Sequence, residues 1–408
     1  MISFRVSSGF HYITAFGEDV EPLSDREQVV FDYSDDHCAT DPFHIPDAPV
    51  RAFRDDRDRV QLILASRRTR RMLGPDLDSV AVEPGGGVIL PSHEREDPAT
   101  YDNLEWIAAT HTEDGRTVHA LVHNEYHGWE HSPECRSERA CWQNAVTLAT
   151  STDGGASYSH APAPAHRVAT FPHRYAPNTG PAGYFMPSNI VRRAGGYYAL
   201  VRALNGPREA PAYPLQRRGN VLIRTNDLAD PGSWRAWDGE GFGIAFADPY
   251  GEQVDPRRHA PVPVSVDPPK NGGPPSACGA GEMTESLTFN THLGRYLLAG
   301  VSWRPDGPGG ELVWGVYYSL SSDLVVWSER RLLARAHPFY QRVSDPERPH
   351  SILYPSVLDP QSTDRNFGTT TRVNDLYFTV YHYRPNERGR LVVDGKNRDL
   401  VKVRFAFR

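Results

Sequence analysis

An all-β fold is predicted by three features of the sequence. Chain-reversing residues are dense, with 34 Gly and 35 Pro in 408 residues. Strand-favouring aromatics are plentiful, with 8 Trp, 19 Tyr and 16 Phe. Third, Gly or Pro interrupts almost every apolar stretch within about a dozen residues, too soon for a helical period to develop.

A strand, turn, strand phrase recurs along the whole length. It opens as RAFRDDRDRVQLILAS at 51–66, LEWIAATHTEDGRTVHALVHNEY at 104–126 and SNIVRRAGGYYALVRA at 188–203. Two further copies are ESLTFNTHLGRYLLAGVSW at 285–303 and the longer YPSVLDPQSTDRNFGTTTRVNDLYFTVYHY at 354–383. Each places a short turn with Asp or Gly between two apolar strands. A second phrase supplies outer strands: TLATSTDGGASYSH at 147–160, LIRTNDLADPGSWRAW at 222–237 and YYSLSSDLVVWSERRLL at 317–333, with a weaker version at 72–82. In each full copy a strand ends in Ser or Thr, an Asp turn follows, and an aromatic begins the next strand. The Asp side chain can bond turn amides, and the aromatic can cover the junction.

Repetition at roughly 50 to 90 residues predicts a propeller of five blades forming a single domain, 1–408. The blades fall at about 50–85, 103–165, 185–240, 283–335 and 352–408. The last has three strands of its own, so residues 26–34 are expected to add the fourth and close the ring. The Pro-rich stretch 248–275 reads as an insertion.

Composition narrows the partners. The net charge is −7 and no basic block is present, which argues against nucleic acid. The only lysines are Lys270, Lys396 and Lys402, so 41 of the 44 basic residues are Arg; the run at 67–71 reads as a short solvated turn. No apolar stretch has the length of a membrane span. The first residues lack a basic and then apolar leader, so a cytoplasmic protein is expected, or a secreted one if a leader has been removed. Among four cysteines, Cys135 and Cys141 are spaced to bridge one loop, which would weaken the cytoplasmic assignment. No phosphate-cradling glycine motif and no Cys/His cluster is present. Neither a cofactor nor a metal site is therefore expected, an axial calcium or similar ion being the alternative.

The residues also resemble a known superfamily. STDGGASY at 151–158 is similar to the Asp box of sialidases, with Tyr158 near the place of the usual Trp. Five units that open with a polar residue before an apolar strand resemble the five-bladed propeller glycoside hydrolases of the arabinanase and β-xylosidase group. That resemblance implies three acids around a central tunnel, acting as general base, modulator and general acid.

In a propeller, polar residues at the start of each innermost strand project into the funnel. Three carboxylates are the catalytic candidates. Asp55, beside Arg51 and Arg54, suits a general base, the competing reading being a turn aspartate crowded by Asp56 and Asp58. Glu125 sits in VHNEYHGWEH among imidazoles and an indole of the kind that hold a sugar ring. Glu285, with Glu282 three residues earlier, opens the fourth repeat and suits a general acid. Candidate substrate contacts are Arg54, Glu105, His123, Asn189, Arg202, Tyr354 and His382.

These residues predict a glycosidase that cleaves a small glycoside or oligosaccharide. Asp55 would activate water while Glu285 or Glu125 protonates the leaving oxygen, with inversion favoured. The rival readings are a biosynthetic cyclase or lyase on the same scaffold, and a carbohydrate- or protein-binding propeller without chemistry.

Overall fold

The computed structural model describes residues 5–6, 11–264, 283–305, 310–339 and 341–408. Within them the fold is all-β, as predicted, with only single-turn helical segments between strands. Two compact units are present: 1–66 with 70–87 and 266–408, and 67–69 with 88–265.

In the second unit, Leu104–His111, Val118–His127 and Trp142–Ser151 form an antiparallel meander. A second meander contains Gly196–Asn205, Gly219–Thr225 and Arg235–Ala236. The two are fused because Ala182–Phe185 pairs in parallel with Trp142–Ser151 on one side and antiparallel with Gly196–Asn205 on the other. One eleven-stranded sheet results. Its apolar face packs Leu121, Val146, Val201, Ile223 and the fully buried Trp234 into one cluster. Gly183 stands where the parallel pairing brings backbones together. Its φ is +106°, and a Cβ there would lie 2.0 Å from the Asn144 carbonyl oxygen, so only glycine fits.

The first unit holds three further meanders. Arg51–Arg54, Val60–Leu64 and Arg68–Gly74 form one, continued by Ala81–Val82. Ser286–Asn290, Arg295–Arg304, Val313–Ser321 and Arg331–Ala336 form the second. The third is His350–Leu358, Val373–Pro385 and Leu391–Phe407. Gln28–Phe31, inside the segment expected to supply a missing strand, pairs antiparallel with Leu391–Phe407.

The Asp turns have the expected chemistry. Asp153 Oδ1 accepts from the Ala156 and Ser157 amides, and Asp323 Oδ1 from those of Val325 and Val326. Asp227 Oδ1 accepts from Ala229. The preceding hydroxyl, of Ser151, Thr225 or Ser321, accepts the Asp amide in each case. The following aromatics, Tyr158, Trp234 and Trp327, are buried.

One reading needs correction. The arginine run at 67–71 is not a solvated turn: Arg70 and Arg71 lie in the Arg68–Gly74 strand and are ion-paired with Asp41 and Glu83. Flanking turn residues gave no sign of these acidic partners, which are 29 and 12 positions away in the sequence. Cys135 and Cys141 are bridged by a disulfide. Cys278, Glu282 and the later part of the Pro-rich insertion lie outside the described residues.

Candidate functional site

Strand alternation builds the richest polar constellation in the second unit. Successive side chains on a strand point to opposite faces, so His123, Glu125 and His127 share one face of Val118–His127. Cross-strand partners extend the row. Trp106 lies opposite His123 on one neighbour, while Asn144 and Trp142 lie opposite Glu125 and His127 on the other.

The contacts orient the imidazoles. Asn144 donates its side-chain N–H to His123 Nε2 at 2.8 Å, so the ring proton of His123 is on Nδ1, 3.5 Å from Glu125 Oε1. On the other side, His127 Nε2 meets Glu125 Oε2 at 2.8 Å, and its Nδ1 meets Glu130 Oε1 at 3.2 Å. His127 thus links a nearly buried carboxylate to a more exposed one. The Glu125 side chain is 14% exposed and that of Glu130 36%. Burial pushes the Glu125 carboxyl upward, but the His127 hydrogen bond and the electrostatic influence of the two neighbouring imidazoles outweigh it and hold it below the usual range.

Aromatic surfaces surround the row. Trp129 stacks on His127 with centroids 4.0 Å apart and planes 25° from parallel. Phe185 contacts both His123 and Trp142, at 5.8 and 5.0 Å. Arg202 pairs directly across from Phe185 and so shares its face. Thus Glu125, His123 and Arg202 are united by one sheet surface, which also contributes His127, Asn144 and Trp142. These last three are not among the sequence-derived candidates. The alternation His-x-Glu-x-His was the signal available for His127, whereas Asn144 and Trp142 are apparent only from register.

Glu105 and Asn189 are placed differently. Glu105 pairs with Asn124 and therefore faces away from Glu125. It is fully buried, and His160 Nε2 meets its Oε1 at 2.7 Å. Asn189 is buried beside the Gly196–Asn205 strand, where the Ser188 hydroxyl donates to the Asn189 carbonyl and accepts the Leu200 amide.

In the first unit Asp55 is also buried, and its own turn fills its oxygens. Oδ1 accepts from the Arg57 and Arg59 amides at 3.0 and 2.9 Å. Oδ2 accepts from Arg59 Nε at 2.9 Å and Gln61 Nε2 at 3.2 Å, with Arg59 Nη2 at 2.8 Å. Arg54 donates to the Ser362 carbonyl at 3.1 Å and lies over the Phe367 ring. These contacts pin the turn to the loop before Thr369–Thr370.

Glu285 is buried at the start of Ser286–Asn290. Its Oε2 accepts the Thr284 amide at 2.8 Å, and Arg51 donates to its backbone carbonyl at 2.8 Å. The carboxylate rests over Gly300, where a Cβ would come 2.2 Å from Oε2. Tyr354 occupies an irregular stretch of His350–Leu358 at φ +58°, a left-handed conformation costly for a bulky residue. His382 is tied to Asp399, with Nε2 to Oδ2 at 2.6 Å.

No protein-family model matches the sequence, and no curated protein is a significant match. Solved structures do resemble the fold. An α-L-arabinanase from Cellvibrio cellulosa is 10% identical, with 83% of this chain and 93% of that one covered, at a TM-score of 0.40. An endo-1,4-β-xylanase from Bacteroides thetaiotaomicron is 10% identical over 88% and 98%, at 0.39. The GH43_1 enzyme from Xanthomonas citri, complexed with xylotriose, is 11% identical over 86% and 91%, at 0.40. At these scores the overlap is too loose to transfer residues or activity.

Proposed function

We propose that this chain is a glycosidase-like enzyme acting on a small glycoside or oligosaccharide, with Glu125 as its central carboxylate. The observation that carries this reading is the His123–Glu125–His127 row, flanked by aromatic rings on one sheet face. A carboxylate held ionised by two imidazoles suits a general base better than a general acid. Glu125 would take the proton from the attacking water and later release it to solvent. His123 and His127 are positioning residues in this scheme. Trp129 and Phe185 offer surfaces for a sugar ring, and Arg202 offers a donor for its hydroxyls. Hydrolysis also requires a proton donor. For the chain as a whole we retain the five-bladed propeller; five meanders among the described residues and the pairing of Gln28–Phe31 with the last of them support it.

The test is turnover of a panel of 4-nitrophenyl glycosides by the wild type and by Glu125→Gln, Glu285→Gln and His127→Asn. Glu125→Gln should lower kcat by about 10²-fold or more with ligand binding retained. His127→Asn should move the acidic limb of the kcat/KM profile to higher pH, because the imidazole lowers the Glu125 carboxyl. Unchanged turnover in Glu125→Gln would overturn the assignment.

A further inference from the structure

The opposite face of the same sheet carries a second constellation. The segment after the Leu90–Pro91 strand is stitched to the start of Leu104–His111, since the Glu105 amide donates to Ser92 Oγ at 2.9 Å. Two backbone bonds, Glu94 N to Asn103 O at 2.8 Å and Arg95 N to Asp102 O at 3.0 Å, hold the intervening loop as a narrow hairpin. His93 and Asp102 are thereby brought together, with Nδ1 and Oδ1 2.7 Å apart. Glu105 completes the group: ligating atoms of all three residues lie within 4.8 Å of one another.

Glu105 makes this more than a surface ion pair. One carboxylate oxygen is held by His160, whose Nδ1 bonds the Leu148 carbonyl at 2.7 Å. The other, Oε2, is buried without a hydrogen-bond partner among the described residues. A buried carboxylate oxygen left bare is costly, and a bound cation would satisfy it.

We infer that His93, Asp102 and Glu105 bind a first-row transition dication of the zinc or manganese kind, with His160 holding the far oxygen of Glu105. One imidazole and two carboxylates suit such an ion better than calcium, which takes six to eight oxygens. His160 then has the place of an outer residue that orients a ligand through hydrogen bonding. Entry of the ion would replace the His93–Asp102 hydrogen bond with two ligand bonds. His93 is 48% exposed, leaving an approach from solvent.

The experiment is calorimetric titration of EDTA-treated full-length protein with zinc chloride and manganese chloride, alongside thermal unfolding. The wild type should take up one ion per chain at this site and gain in Tm. His93→Ala and Asp102→Asn should each weaken that binding by at least about tenfold. His93→Ala, altering a half-exposed side chain, should leave the metal-free Tm unchanged and so separate ligation from folding. Absence of uptake by the wild type would overturn the inference. So would a stoichiometric site that persists at full affinity in both variants.

Discussion

Replacing Asp55 with Asn separates a turn-holding role from a catalytic one. The Asn carbonyl can keep the Oδ1 bonds to the Arg57 and Arg59 amides. Its NH2 group, however, replaces Oδ2 and faces the Arg59 guanidinium and Gln61 Nε2, which are donors themselves. A hydrogen bond to a charged group contributes about 1.5–3 kcal/mol, reduced here because the Arg59 side chain is 40% exposed and screened. Loss of the acceptor for the fully buried Gln61 amide adds about 1 kcal/mol. Asp55→Asn should therefore destabilise the first unit by roughly 2–3 kcal/mol near neutral pH. Burial raises the Asp55 carboxyl, but the donors from Arg59, Gln61 and Arg57 overcome it and leave it below the usual value. A depressed folded-state value contributes stability that is fully present above the unfolded-state value, about 3.9, and lost as pH falls through the folded one. The gap between wild type and variant should thus narrow below about pH 4. Urea unfolding followed by tryptophan fluorescence at several pH values measures it. An Asp55→Asn protein with the wild-type midpoint and no glycosidase turnover would refute this reasoning and return Asp55 to catalysis.

Further expectations follow from individual contacts. Opening the Cys135–Cys141 bridge with a thiol reductant, or by Cys135→Ser, should cost about 2 kcal/mol on the loop-entropy model for so short a loop, as read by Tm with and without reductant. Gly300→Ala would place a methyl 2.2 Å from Glu285 Oε2 and 2.7 Å from Met283 Cβ; forced repacking should cost about 1–3 kcal/mol in a denaturation midpoint. Lys402→Met removes a 4%-exposed ammonium from between Asp78 and the fully buried Asp375, leaving the latter with Arg404. A loss of about 3 kcal/mol is expected by calorimetry.

The legible part of the fold was the part written locally. Turn chemistry at Asp153, Asp227 and Asp323 and the apolar strands around it are readable because their partners lie within a few residues. Strand parity was harder. Glu105 and Glu125 both looked inward when boundaries were uncertain by a residue, yet a one-residue difference in register moves a side chain to the opposite face, and the two acids are separated in this way. Asp55 had both of its readings visible in RAFRDDRDR, and its surroundings match the turn aspartate. His127 was within reach, since it alternates with Glu125 and His123. Asn144 left no local mark, because its importance comes from a hydrogen bond to a residue 21 positions away.

The glycine at 183 has implications for how the site side chains could change. With two meanders zipped along a shared ladder at van der Waals distance, neither can slide or tilt without tearing main-chain bonds. The spacing between the Val118–His127 row and Phe185 is accordingly set by covalent repeat lengths and strand separation, as in a printed grid. Altering ligand preference on such a grid calls for exchange of the side chains themselves, and amide exchange across the seam should be as slow as in the interior of either meander.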